Sequence, residues 1–285
     1  MTLQNGDKVE RWDPNVYMMD YLYGQATSQK HSISISGADE KFSYRASLGY
    51  ADNNSQLKVA NDGEKKYSGR LNADYQATDA LKFETSMSYD KRDIITPTTD
   101  VGAGYFDPWF WTVYNKNGQA YDTFSGNRNP IGGLTQGGEK KNSLTTFRGS
   151  AKATYDFSKW VKGLSAKFFV NYYDDIKFQK RFNRPSSFYR YDVASDTYIS
   201  AGGLGNSAQL SQRDDRSKML TRQFSVNYDN TLAEDHTLSV LALYEAIDYS
   251  GNWMSASRED LLTPSIEELF VGNTETMKND GAYIG

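Results

Sequence analysis

The sequence predicts an all-β protein, an antiparallel transmembrane β-barrel segment of about eight strands in four hairpins. Three observations carry this reading: a two-residue alternation of apolar and polar side chains, tight turns alternating with long excursions, and a high aromatic content. In KFSYRASLGY, Phe42, Tyr44, Ala46, Leu48 and Tyr50 point one way and Ser43, Arg45, Ser47 and Gly49 the other. A strand with one apolar and one wet face is half-buried. Short turns on one side and long loops on the other are the pattern of an outer-membrane barrel.

The first hairpin joins strands near 30–37 and 40–52 through Gly37-Ala38-Asp39-Glu40, and the second joins 65–76 to 80–92 through Ala77-Thr78-Asp79. The third joins 143–156 to 164–177 through the stretch from Ser158 to Gly163, and the fourth 218–230 to 236–249 through Ala233-Glu234-Asp235. Between them the chain runs through 53–64, 93–142, 176–217 and 250–285, rich in Gly, Asn, Asp and aromatic residues. Connections in compact soluble domains are mostly about 4–6 residues, so such stretches fit the extracellular loops of a barrel better. The chain divides into a lead-in segment over 1–29, barrel strands and loops over 30–249, and an extracellular loop, truncated, over 250–285. Punctuation marks two short helices. Asp13-Pro14 opens one that runs through Tyr17, Met18 and Tyr21 to Gly24, and Thr263-Pro264 opens another that closes at Gly272.

Composition agrees with the membrane reading. A mean hydropathy of -0.71 and 24% charged residues resemble a soluble protein, and no run in the sequence approaches the ~20 apolar residues of a membrane helix, but a barrel strand needs only about 9–11 residues with alternate apolar positions, so its hydropathy averages out. Tyr50, Tyr67, Tyr75, Tyr89, Tyr155, Tyr172, Tyr228 and Tyr244 sit near strand ends, where amphipathic rings would form interfacial girdles; the plainer reading is that Tyr favours strands. Opposite the apolar positions lie Arg70, Asp74, Glu84, Arg148 and Lys152 among Ser, Asn and Thr, the lining of a wet lumen or of one filled by another polar domain.

Enzyme chemistry is not expected. There is no Cys, so neither thiolate ligand nor thiol nucleophile exists. His31 and His236 lack metal-binding spacing, and no EF-hand spacing marks a calcium loop. No cofactor is implied. A net charge of -4 argues against nucleic acid as a partner. The loop GYFDPWFWTVYNKNG clusters Tyr105, Phe106, Trp109, Phe110, Trp111 and Tyr114, rings suited to stacking on a sugar or anchoring an interface, or simply to packing the loop.

Residues 28–93 resemble the early barrel of SusC/RagA-type TonB-dependent transporters of the Bacteroidetes outer membrane. The run from His31 through Ile33, Ser34, Ile35, Ser36 and Gly37 carries the resemblance. So do Tyr44, Ala46, Ser47, Leu48, Gly49 and Tyr50, and then Lys66-Tyr67-Ser68-Gly69-Arg70-Leu71-Asn72. The resemblance implies import of oligosaccharides or peptides through a plugged barrel of about 22 strands. It further implies a SusD-like surface lipoprotein, which the aromatic loop is a candidate to contact, and energy from TonB with ExbB and ExbD. Met1-Thr2-Leu3-Gln4 starts neither a signal peptide nor a plug, and no aromatic-terminated closing strand is seen, so the chain reads as an internal barrel fragment. Two other readings stand beside this one: a self-contained eight-stranded structural or adhesive outer-membrane barrel, and a secreted all-β carbohydrate-binding module.

Overall fold

The computed structural model describes residues 18–99, 113–122, 129–232, 236–263 and 265–285. Its main element is one antiparallel meander sheet of nine strands. These are β1 (Ser28–Ala38), β2 (Phe42–Asn54), β3 (Gly63–Thr78), β4 (Leu81–Pro97), β5 (Glu139–Asp156), β6 (Leu164–Asn183), β9 (Gln209–Leu232), β10 (His236–Glu259) and β11 (Lys278–Ile284). A separate two-stranded hairpin, β7 (Ser186–Asp192) with β8 (Thr197–Leu204), stands between β6 and β9. Helix α1 (Met18–Leu22) precedes the sheet, and α2 (Pro130–Gln136) leads into β5.

All four expected hairpins are present. Each of these hairpin strands runs beyond its expected outer bound, and their lengths rise along the chain from 11 residues in β1 to 24 in β9 and β10. A membrane crossing consumes only about 9–11 residues, so the long strands must continue past the bilayer. The stretch 176–217, expected as a loop, is therefore the outer ends of β6 and β9 with the β7–β8 hairpin between them. Likewise 250–285 is not one loop. It holds the end of β10 and a ninth main-sheet strand, β11, which pairs with Gly251–Ser257 of β10. The helix expected after Thr263 is reduced to 3-10 turns at Leu269–Val271 and Thr274–Thr276. Side-chain pairing fixes that segment instead, since Glu267 and Glu268 reach Arg184 and Lys180 on the β6 side.

Register assigns every side chain to one of two faces, because the strand period is two. One row of partners runs Ile33, Leu48, Gly69, Tyr89 and Phe147 across β1 to β5. Leu71, Met87, Val170, Phe168, Phe224 and Val240 share that face. It stays open, with Ile33 70% and Leu48 65% exposed. All eight tyrosines named above fall on this same face. They border the apolar zone in two rows. At the outer row Tyr50 and Tyr67 rings lie 5.2 Å apart and Phe147 and Tyr172 6.3 Å. Tyr50 and Tyr172 donate to Asp52 and Asp174 just beyond. At the turn side, Tyr155, Phe157 and Trp160 cluster within 4.6–6.2 Å. Eight residues separate Phe42 from Tyr50, roughly 26 Å along a strand, or roughly 18–21 Å of depth at a barrel tilt of ~35–45°, somewhat short of the ~25 Å apolar band flanked by aromatic girdles.

Among the described residues, buried apolar side chains are few and lie at the outer end. Leu22 of α1, Val113, and Ile131 and Leu134 of α2 form one cluster, and Phe182, Ala208 and Leu210 another beneath Leu261 and Leu269. Asn129 caps α2, its Oδ1 accepting from the Ile131 and Gly132 amides while its amide donates to the Val113 carbonyl at 2.6 Å. Among the described residues, close-packed apolar clusters thus occur at this outer end.

Candidate functional site

The second face of the sheet is polar, and its charges are arranged in pairs. Glu84 of β4 is opposite Lys152 of β5 and Asp74 of β3. Lys152 Nζ lies 2.6 Å from the Glu84 carboxylate, while Lys82 stands 3.6 Å from Glu84 and 3.8 Å from Asp74. Further outward, Arg148 reaches Asp90 at 4.0 Å and lies over the Tyr173 ring at 5.3 Å. Ser86 donates to Asn72 at 2.7 Å, and Thr146 to Asp175 at 2.5 Å. Arg213 grips Asp215 with two nitrogens and covers the Trp253 ring at 4.1 Å.

The structure places Arg70, Asp74, Glu84, Arg148 and Lys152 together on this face, as the alternation required. Four of them belong to the ion-pair ladder. Arg70, opposite Ser47 and Ser88, is the exception, with no acid in ion-pair distance among the described residues. These groups are partly exposed, so each pair contributes only about 0–1 kcal/mol. Their effect is to leave a wall that is strongly polar but nearly neutral.

Sequence reasoning placed Ser225, Asn227 and Asp229 of β9 on this face but missed the contributions of β6, β10 and the outer half of β9. Tyr173, Asp175, Arg213 and Trp253 fall on the same face by register with Arg148 and Thr146 and onward across β9. It also missed that β10 is apolar on both sides, with Leu241, Leu243, Ile247 and Tyr249 on the polar face and all more than half exposed. The run Val240-Leu241-Ala242-Leu243-Tyr244 was the available signal, because a strand covered on both faces loses its alternation.

Of the aromatic loop, Tyr105, Phe106, Trp109, Phe110 and Trp111 lie outside the described residues. Tyr114 is described. It pairs with Ala120 in a small bridge and projects to solvent while Val113 and Ala120 are buried. At this outer end a cleft of about 330 Å³ is lined by Lys58, Asn61, Glu139, Arg184 and Glu267 around α2. Glu267 pairs with Arg184 at 3.2 Å and Lys141 at 3.5 Å, and Asn61 donates to Glu139 at 2.5 Å. No group of three or more metal-binding side chains occurs among the described residues.

No protein-family profile matches the chain. A curated relative does: the sequence is 26% identical over 234 residues, 80% of this chain, to the TonB-dependent receptor P26 of Formosa agariphila. That likeness supports a segment of a TonB-dependent transporter. Among solved structures it is similar to the RagAB peptide importer in its closed-closed state, with a TM-score of 0.72 at 18% identity, and in its open-open state, with the same score at 19% identity. Both matches cover 94% of this chain, so the likeness in fold extends over nearly all of it. The chain spans 22% of the curated relative's length and 30% of the matched importer chain. The likeness indicates an outer-membrane location, and an apolar face bounded by aromatic rows is the kind of surface a barrel turns to lipid.

Proposed function

We propose that the polar face forms part of the lumen wall of a TonB-dependent importer carrying oligosaccharides or peptides across the outer membrane. The observation that carries this reading is the ladder of paired charges from Asp74 through Glu84 to Lys152 and from Asp90 to Arg148, on the face opposite the lipid-facing tyrosines. A wall whose charges are already matched offers hydrogen bonds to a polar solute without trapping it by net charge. Conduction through a binding pathway requires that balance between entry and release. Peptide import by the RagAB complexes, named as importers, favours a polar solute of this class, and the two-component name favours a SusD-like lipoprotein as partner. Energy would come from TonB with ExbB and ExbD.

The test uses the full-length parent in its own outer membrane. Uptake of fluorescent oligosaccharides and of fluorescent peptides is compared with and without TonB, with the lipoprotein followed by co-purification. Uptake of one solute class that stops without TonB supports the reading. Binding of a surface ligand with no TonB-dependent uptake of either class would favour an adhesive barrel.

A further inference from the structure

We propose that the polar face of β1 to β3 is a cationic track for an anionic oligosaccharide, one bearing carboxylate or sulfate groups, with Lys30, Lys66, Arg70 and Arg45 as its contact points. The proposal rests on the lumen reading above and narrows its solute. Register puts all four on the polar face: Lys30, Ala51 and Lys66 share one row, Arg70 is opposite Ser47, and Arg45 is opposite Ser36 and Asn72. All four are exposed, and among the described residues none has a carboxylate partner. The acids nearest in register are already engaged. Glu64 accepts from Arg92 at 2.5 Å, Asp74 lies 3.8 Å from Lys82, and Asp90 lies 4.0 Å from Arg148. On β4 and β5 the charges of the two signs match, whereas on β1 to β3 the charge left over is positive.

The surroundings of these cations say what kind of anion fits. Arg70 stands in a row with Ser34, Ser47 and Ser88, and the next row outward is Ser32, Gly49 and Ser68. Gly49 makes room for a hydroxyl, since a Cβ there would lie 2.6 Å from Ser68 Oγ. Short hydroxyl side chains leave the guanidinium clear of the wall. From Arg45 out to Lys66 no large apolar side chain interrupts this face of β1 to β3, so its chemistry matches a solute hydroxylated all round and not a peptide with apolar side chains. Lys66 adjoins Tyr67 of the outer aromatic row and Arg45 is three residues from Phe42, so the track leads from the outer rim inward. Lys66 and Arg70 are roughly 13 Å apart along β3, Lys30 and Lys66 roughly 10 Å apart across two strand spacings, and Arg45 and Arg70 roughly 8 Å apart on a diagonal. Those separations reach or exceed the Debye length of ~8 Å, so the cations repel one another little and each can meet a different anionic group. Exposure keeps every contact weak, which permits release as well as entry.

The experiment measures TonB-dependent uptake, by cells carrying the full-length parent, of three fluorescent oligosaccharide pools of matched length: neutral, uronate-containing and sulfated. Fluorescent peptides are run beside them. Wild type should take up an anionic pool roughly tenfold faster than the neutral one, the lower end of electrostatic steering. Which of the two anionic pools is preferred separates carboxylate from sulfate. Arg45→Gln with Arg70→Gln should abolish most of that preference while neutral uptake is unchanged. Lys65→Gln, next to Lys66 but on the opposite face, should keep the preference. Heat-modifiable migration in gel electrophoresis reports whether each variant is an assembled barrel; if the double variant does not assemble, Lys66→Gln at the rim takes its place with the same expected direction. Equal uptake of neutral and anionic pools by wild type, or an undiminished preference in the assembled variant, overturns the proposal and leaves the importer reading standing. Equal loss of neutral and anionic uptake in that variant also overturns it, because the cations would then hold another part of the parent. Uptake of peptides alone overturns the proposal and spares the importer reading, whereas TonB-dependent uptake of neither class removes both.

Discussion

At the scale of single residues the register makes sharp distinctions between neighbours. Leu48 lies on the lipid face between the aromatic rows, and Ser47 on the other face opposite Ser34 and Arg70. Leu48→Arg should therefore cost about 2–4 kcal/mol and sharply reduce the assembled parent recovered from the outer membrane. Ser47→Arg adds only a like charge across from Arg70, about 0.2–1 kcal/mol. Better recovery of Leu48→Arg than of Ser47→Arg would invert the face assignment. Glycines divide in the same way. Gly163, in the turn between β5 and β6, has φ +83°, and a Cβ there would sit 1.9 Å from the Asp229 carbonyl oxygen. Gly118 has φ +75° with open space around it. Gly118→Ala should cost about 1–2 kcal/mol, the ordinary penalty of the left-handed region. Gly163→Ala should cost more, because backbone must also move. Urea unfolding midpoints of the two parent variants check the order, and equal shifts would count against the packing of that turn on β9.

Among the elements, the hairpins were legible and the outer extensions were not, for one physical reason. Within the bilayer one face meets lipid and the other water, so KFSYRASLGY shows a clean alternation. Beyond the outer tyrosines both faces meet water, and partners such as Lys180 with Gln212 or Arg181 with Ser211 carry no apolar signal on either side. Strand β11, with Lys278, Asn279, Asp280 and Gly281, is silent for the same reason. The candidate site was legible to the same extent: the five charged residues on β3 to β5 follow from alternation, whereas Arg213 and Trp253 lie on stretches where alternation has lapsed. The outer hairpin β7–β8 carries a prediction of its own. Its tip is held by Asp192, whose carboxylate accepts from the Ser195 hydroxyl at 2.5 Å and the Ser195 amide at 2.9 Å. Those bonds, the hydroxyl first, hold its pKa below the ordinary carboxylate value. A lowered folded-state pKa means that this ordering is present above the unfolded value near 3.9 and is lost as pH falls through the folded one. On intact cells at neutral pH, protease should cut at 193–196 in Asp192→Ala faster than in wild type, and should spare the turn at 158–163. Preferential cutting at 158–163 would reverse the topology. Amide exchange at 194–196, corrected for intrinsic rates, should quicken in wild type only below about pH 4.

For the molecule as a whole, the decisive property is that the nine-stranded sheet has two edges. β1 pairs only with β2, and β10 from His236 to Ser250 pairs only with β9 among the described residues. Both edge segments belong to the apolar zone, with Ile33, Ile35, Val240 and Tyr244 open to the surroundings. Unpaired backbone amides and carbonyls facing lipid cost several kcal/mol each, which is why membrane-spanning sheets close. In a TonB-dependent receptor barrel both edges pair with further strands. This chain produced alone should therefore fail to form a stable membrane sheet. Closing on itself would draw the ladder of Lys82, Glu84, Lys152 and Arg148 into a narrow lumen just wide enough for side chains, where charges already paired across strands would be crowded and desolvated. Refolded into detergent or liposomes, residues 1–285 should aggregate and show no heat-modifiable band, whereas the full-length parent treated in the same way should show one. A compact, heat-modifiable 285-residue species with antiparallel β infrared bands would mean that nine strands suffice for closure. The polar face would then be the packed interior of a small barrel, and the lumen reading would fall with it.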